Sequence, residues 1–421
     1  MSQPEAWSDD YQAAREEALS WLTANWDPGL TVRAWWAKLA ESGWGFPTWP
    51  TEWFGRGLSA DAAAGVRSAF PVVGALPPPA GLGQLLGAPM LMVQASEEQK
   101  AKYLPALARG EESWCQFFSE PGSGSDLASA QTRAVRDDDG WRVHGQKVWT
   151  SRAQWCDRGM LLARTDRDLP KHQGLTFFII DVDQPGIEIR PLRQMNGDSR
   201  FNEVFFDGAR VDDDRIVGQI GDGWSVALTV LMYERFVTSM PTARAGTRGG
   251  QLDELAGAAA AGAAAPGGGH GQSGVSKFII DVAKELGQTS DPVTRQRLAS
   301  LWATETTSTY LIRDGQSARD QQRPSARGSL AKLGGSRLAR ASRDTGLAVL
   351  GAAGMLDSPD TPGGGAIQYQ ALSSPGLTIA GGTDEIQRNI VSERLLELPK
   401  EARPDRDMPF KNLIVGSRPT E

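Results

Sequence analysis

Cysteine and histidine are scarce in this chain. Two cysteines among 421 residues, Cys115 and Cys156, exclude a disulfide framework and a four-thiolate zinc site. That usage points to a reducing compartment, and we expect the cytoplasm. The three histidines, His144, His172 and His270, lie far apart and form no HExxH, so no catalytic metal is expected. No GxSxG elbow occurs, and neither cysteine has a papain-like context. Positive charge is also short: 44 Lys and Arg against 51 Asp and Glu leave a net charge of −7. No basic block stands out, so nucleic acid is not an expected partner. No apolar run reaches the roughly 18 residues of a membrane span, so no membrane partner is expected. The opening MSQPEAWSDD carries neither the basic nor the apolar region of a secretory signal. Tyrosine is sparse, at 5, while tryptophan is plentiful, at 14, with eight between Trp7 and Trp53.

Length divided by roughly 150 residues per domain suggests about three domains. Three composition regimes agree, predicting a mainly α protein with a central β domain. Residues 1–113 read mostly as helices. Ser96, followed by Glu97, Glu98 and Gln99, has the spacing of a capping box and starts one of them. Residues 114–222 break into short β-branched and aromatic runs such as GLTFFIID, separated by turn clusters such as PGSGSD. That spacing predicts an antiparallel sandwich or barrel, the links being too short for parallel crossovers. Helical patterns return over 223–400, interrupted by a Gly/Ala-rich stretch at 246–274 that reads as a flexible insertion. The tail at 401–421 reads as irregular.

Two glycine patterns look like nucleotide loops and are set aside. GLGQLLG has one residue too many for a dinucleotide fingerprint and follows three prolines instead of a strand. GHGQSG has Val275 where a phosphate-binding lysine should stand.

Four stretches carry chemistry. In FFSEPGSGSD, a strand ends at Ser119 and turns through Gly and Ser steps. Such a loop offers backbone N–H groups and hydroxyls to a planar heterocycle or a phosphate, although a plain hairpin loop would look the same. In GQKVWTS, strand geometry puts Trp149 and Ser151 on one face and Thr150 on the other. An indole beside a hydroxyl suits a flat cofactor; a core tryptophan is the alternative. In ALTVLMYERF, Glu234 sits on an apolar helical stripe with Val230, Leu231 and Val237. Burial of that carboxylate would push its pKa toward that of a general base, unless it forms a structural ion pair, with Arg235 for instance. In IAGGTDEIQR, Gly381 and Gly382 bring bare backbone to a helix start that Thr383 or Asp384 caps.

In this order, SEPGSGSD, GQKVWTS and GGTDEIQR resemble the acyl-CoA dehydrogenase family, over roughly Ala13 to Leu398. The likeness is to its actinobacterial branch. It implies an N-terminal helical domain, a middle β domain and a C-terminal four-helix bundle, with FAD between the last two. It further implies that Trp149 packs on the flavin ring and that Ser151 lies near flavin N5. Ser119 would lie near N1 and O2, with Phe118 a backbone contact beside it. Ser125 would touch both flavin-side and CoA groups, and Thr383 would touch the cofactor. Many relatives carry their base just before the Gly-Thr of the C-terminal motif, where this chain has Gly381. The other placement, in a Leu-x-x-Glu-Arg-like context, corresponds here to Glu234, with Arg235 on the substrate side. The implied reaction is α,β-dehydrogenation of an acyl-CoA to the trans-2-enoyl-CoA. Glu234 removes the α-proton, flavin N5 takes the β-hydride, and the Gly381 N–H polarises the thioester oxygen.

The implied partners are an acyl-CoA, an electron-transfer flavoprotein or similar acceptor, and other subunits. A homodimer or homotetramer is expected, with a heteromer the alternative. Two departures concern the adenine end of FAD. The Arg-x-x-Phe-Gly segment is missing, with VTRQRLASL in its region, and a glutamine of the family appears as Ala348. Two other readings stay open: a flavin oxidase or monooxygenase of the same fold, against which the retained base argues, and a non-catalytic subunit of a heteromer, which these departures motivate.

Overall fold

The computed structural model describes residues 8–237, 252–264, 274–320, 326–356, 358–402, 405–415 and 418–419. Five helices come first: α1 (Asp9–Asn25), α2 (Val32–Ser42), α3 (Ala60–Val73), α4 (Ala88–Gln94) and α5 (Glu97–Ala108). Ser8, Thr31, Ser59 and Ser96 cap four of them, each side chain accepting a backbone N–H of the first turn. Ser96 and Gln99 complete the reciprocal capping box.

The early tryptophans fill this region's core. The Trp35 indole is fully buried and donates to the Leu76 carbonyl at 2.7 Å; Trp36 donates to that of Pro77 at 2.9 Å. Each ring thus buries a large apolar body while its one polar atom keeps a partner. The second glycine decoy lies mostly outside the described residues, whereas Gly83–Gly87 of the first forms a π-helical turn leading into α4.

Eight strands follow: β1 (Trp114–Phe117), β2 (Arg133–Asp137), β3 (Gly140–Ser151), β4 (Arg158–Arg164), β5 (Leu175–Asp181), β6 (Ile187–Leu192), β7 (Phe201–Val211) and β8 (Ile216–Val217). They form one sheet in the order β6-β7-β3-β2-β4-β5-β8, with β1 also paired to β4. Most pairs are antiparallel, as expected, but β1 and β2 each run parallel to β4. These parallel pairs need no helical crossover, because the β2–β3 hairpin lies between β1 and β4 in the chain and β3 alone lies between β2 and β4. Strands β4 and β5 are buried along nearly their whole length. Met160, Leu162, Phe177 and Ile179 face a core shared with the helices, through Leu91, Leu104, Val226 and Val230. Leu161, Ala163, Phe178 and Ile180 face a second core closed by the sheet itself. Strand alternation thus serves two cores at once.

The remaining helices are α6 (Gly223–Val237), α7 (Ala256–Ala264), α8 (Val275–Glu285), α9 (Pro292–Asp320), α10 (Arg327–Leu350), α11 (Ala366–Leu377) and α12 (Asp384–Arg394). Helix α10 packs against α6, α8, α9, α11 and α12.

The Gly/Ala-rich stretch corrects one expectation. Residues 246–251 and 265–273 lie outside the described residues, but Leu252–Ala264 is not a linker. It docks on the N-terminal helices. The first N–H groups of α2 have no partners within their own helix. Val32 N donates to Glu254 O and Arg33 N to Leu252 O, both at 2.9 Å. Ala256 N donates in turn to Leu30 O at 2.8 Å. The small residues make the approach possible: a Cβ on Gly257 would lie 2.7 Å from the Pro28 Cβ.

Candidate active site

The sheet's first strand and its third meet at one place. Val148 N donates to Ser119 O at 2.9 Å, joining SEPGSGSD to GQKVWTS. Beneath that contact lies a buried ion pair. Lys147 Nζ donates to Glu120 Oε1 at 2.9 Å and to Phe118 O at 2.8 Å. Glu120 also accepts the Gln131 and Thr132 backbone N–H groups at 2.7 and 2.9 Å. Burial pushes the Glu120 carboxyl up, but Lys147 and these donors outweigh it and hold it below the usual carboxylate range.

The next residue but one is unusual. Trp149 has φ +60°, a left-handed conformation rare for a bulky side chain. It coincides with a register shift between β3 and β7 at Lys147/Thr150. The indole is 61% exposed and meets Phe201 edge-on. Thr150 points the other way and is buried, and Ser151 is half-buried. Val148, Trp149 and Ser151 all line one cavity, so strict alternation is broken at this irregularity.

The loop after Ser119 is braced by one of its own side chains and by a lysine from the β4–β5 connection. Ser123 Oγ donates to Asp126 O at 2.7 Å, and Lys171 Nζ reaches Asp126 Oδ2 at 2.9 Å. Ser125 remains exposed on this loop.

Helix α6 is laid across the sheet by Val226 and Val230, which enter the shared core. This brings half-buried Glu234 to β1, where Gln116 Nε2 donates to Glu234 Oε2 at 3.2 Å. The side chain of Arg235 lies outside the described residues.

The C-terminal motif makes a turn into α12. Gly381 and Gly382 take φ +66° and +84°, conformations glycine adopts without steric cost. Gln387 Nε2 donates to Gly381 O at 2.7 Å, bracing the turn from inside the helix. Of the two candidate caps, Thr383 fills the role: its Oγ1 accepts Ile386 N at 3.3 Å. Asp384 instead pairs with Lys332 at 3.0 Å and Arg340 at 2.8 Å, tying α12 to α10.

Phe118, Ser119, Ser125, Trp149, Ser151, Glu234, Gly381 and Thr383 all line one connected cavity of about 4310 Å³. An ordinary single-ligand pocket holds roughly 300–1,000 Å³, so this space admits more than one ligand. Three supporting features escaped the sequence reading: Gln116, the Glu120–Lys147 pair and Gln387. The pair had a signal, since a lysine and a glutamate in otherwise apolar strand ends need a partner. The two amides had none. Among the described residues, no cluster of His, Cys, Asp and Glu could hold a metal ion, and no helix is long and apolar enough to cross a membrane.

The helical, β, helical order and this shared cavity define the class. The family models for the acyl-CoA dehydrogenase N-terminal, middle and C-terminal domains match residues 7–111, 115–209 and 277–396. The chain is 38% identical over 363 residues to acyl-CoA dehydrogenase FadE34 of Mycobacterium tuberculosis, covering 86% of this chain and 46% of that one. It is 35% identical over 377 residues to acyl-CoA dehydrogenase IpdE1 of the same organism, covering 88% and 89%. This protein therefore belongs to the acyl-CoA dehydrogenase family. The chain spans less than half of FadE34 but most of IpdE1.

Among solved structures, it is similar to the Tcur3481-Tcur3483 steroid ACAD, with a TM-score of 0.73 and 26% identity over 95% of this chain and 100% of that one. The ChsE4-ChsE5 complex from Mycobacterium tuberculosis gives a TM-score of 0.71 with the same identity and coverage.

A flavin is the cofactor such a family implies, and the cavity suits one. It presents an exposed aromatic face at Trp149, hydroxyls at Ser119 and Ser151, and a helix N-terminus at Thr383. These supply stacking, hydrogen bonding and a site for negative charge.

Proposed function

We propose that this chain catalyses FAD-dependent α,β-dehydrogenation of an acyl-CoA thioester, with Glu234 as the base. The observation that supports this reading is that Glu234 and Gly381 line the same cavity. A side chain is missing where one group of relatives carries its base, and a carboxylate reaches the same space from α6.

The bound flavin supplies the acceptor for the β-hydride. Glu234 takes the α-proton onto its carboxylate, and the product leaves with a double bond between Cα and Cβ. The α-proton is weakly acidic until the thioester oxygen is polarised, and we assign that donation to the Gly381 N–H. Gln116 keeps one carboxylate oxygen of Glu234 oriented. Trp149, Ser119, Ser151 and Phe118 hold the flavin ring, with Thr383 beside it. Ser125 and Arg235 contact the substrate.

The acyl group is read from the neighbours. A structure whose description says steroid ACAD is 26% identical to this chain, so a bulky, ring-bearing acyl group is the substrate class we favour. The same neighbours support an oligomer, and two of them pair differently named chains. With the Arg-x-x-Phe-Gly segment missing, a heteromer with another member of the family is the arrangement we favour over a homotetramer. An electron-transfer flavoprotein or similar carrier would reoxidise the flavin.

The test is anaerobic bleaching of the purified flavoprotein with acyl-CoA thioesters, from short straight chains to steroid side chains. Bleaching by at least one thioester is expected. A flavin-loaded protein that no thioester reduces would overturn the dehydrogenase reading. A chain that takes up FAD only with a co-expressed partner would establish the heteromer.

A further inference from the structure

We propose that Glu120 and Lys147 form a buried strap that positions the two strand ends facing the cofactor, Phe118–Ser119 and Trp149–Ser151. The inference rests on the flavin reading above only for what those strand ends hold.

Both side chains are withdrawn from water, Lys147 at 0% exposure and Glu120 at 7%. A buried ion pair is weak evidence for stability, because well-packed apolar residues of similar volume often serve as well. Its geometry matters more here. Lys147 belongs to β3, yet it donates to the Phe118 carbonyl on the chain leaving β1. Its second bond goes to Glu120, whose two oxygens also receive the N–H groups of Gln131 and Thr132, ahead of β2. The backbone of Glu120 closes on Ser123 in both directions, at 2.8 and 3.1 Å. Three chain segments are therefore pinned to one carboxylate–ammonium pair. An apolar pair would fill the volume but leave the Phe118 carbonyl and two N–H groups without their partners.

Immediately beyond the strap, the backbone does what it would not do unaided. Val148 N is fixed on Ser119 O, and Trp149 then takes φ +60°. Such a conformation costs of order 1–3 kcal/mol and persists only where its surroundings over-determine it. The strap holds it on one side. On the other, Asn202 Nδ2 donates to Thr150 O at 2.9 Å. The result turns the indole out into the cavity beside Ser119 and Ser151. Glu120 and Lys147 are positioning residues, acting on the cofactor through Phe118, Ser119 and Trp149.

The experiment compares the wild-type chain with the Glu120→Gln/Lys147→Met double variant. Hydrogen–deuterium exchange of the flavin-free chains is followed over residues 117–126, 130–133 and 145–152. FAD affinity and bound-flavin fluorescence are then measured, since a stacked indole quenches flavin emission. We expect faster exchange confined to those three segments, at least tenfold weaker FAD binding and brighter emission from what binds. Lys147→Arg, which keeps the charge, should recover part of the affinity. A folded double variant with unchanged exchange, affinity and emission would overturn the strap. Should the double variant not fold, Glu120→Gln alone is read by the same three measurements. If the wild type takes up no FAD, either alone or with a co-expressed partner, the flavin reading fails, and the exchange pattern alone decides the strap.

Discussion

The Gln116 amide and the Glu234 carboxylate meet at 3.2 Å across the seam between β1 and α6. One comes from the strand that opens the β region, the other from the helix that follows it. Their contact fixes where a carboxylate can point in the cavity. Replacing Glu234 with Gln keeps the shape and removes the base. We expect the rate of anaerobic flavin reduction to fall by roughly 10²–10⁴-fold with FAD still bound. Stopped-flow absorbance with a good substrate measures it, and a full rate would sink the assignment. Gln116→Leu removes one hydrogen bond to a charged group, worth about 1.5–3 kcal/mol. A slowdown of about tenfold or more is expected, with FAD content unchanged.

Trp149 separates backbone strain from cofactor contact. Trp149→Ala and Trp149→Gly both remove the indole, and both should retain less flavin after gel filtration. Only Gly accepts φ +60° without steric cost. The Gly variant without flavin should therefore be more stable than the Ala variant by about 1 kcal/mol, as read by urea unfolding. Equal flavin content in wild type and both variants would make Trp149 a bystander.

The Lys332–Asp384–Arg340 cluster anchors α12, and with it the Gly381–Gly382 turn. Lys332 and Asp384 are nearly fully buried. Lys332→Met strands a buried carboxylate on one half-exposed arginine, at a cost of about 3–5 kcal/mol. Lys332→Met with Asp384→Leu should recover much of that loss. Thermal melts of the three proteins test it.

Acid should weaken the fold through two carboxylates. Burial pushes Asp384 up, but Arg340, Ser336 and Lys332 hold it below its ordinary value. Glu120 is held low in the same way by Lys147, Gln131 and Thr132. A depressed folded pKa gives stability that is complete above the unfolded value, roughly 3.9 for Asp and 4.3 for Glu. It is lost as pH falls through the lower folded value. Melting temperature should therefore be little affected by these groups from pH 7 to 5 and drop below about pH 4. The Glu120→Gln variant should show a shallower acid limb than the wild type.

Much of this protein could be read from short stretches of its sequence. The Ser96 capping box and the β-rich middle region follow from local rules of capping and alternation. The Gly/Ala-rich stretch misled for a physical reason. Alanine and glycine signal neither burial nor exposure, so nothing local distinguishes a loose linker from a helix packed closely on Pro28. Gln116 carried no signal either, because an amide fits a solvated strand as well as a buried contact.

The sequence by itself therefore determined the kinds of element, their order and the residue types facing the cavity, all set by interactions within a few residues. The tertiary structure alone decided that Gln116 meets Glu234, 118 residues away, and that Leu252–Ala264 returns to cap α2. It alone decided that Trp149 bends into a left-handed backbone. Each of these depends on where distant segments pack, and burial of the shared core fixes that path, leaving buried polar groups to find partners along it.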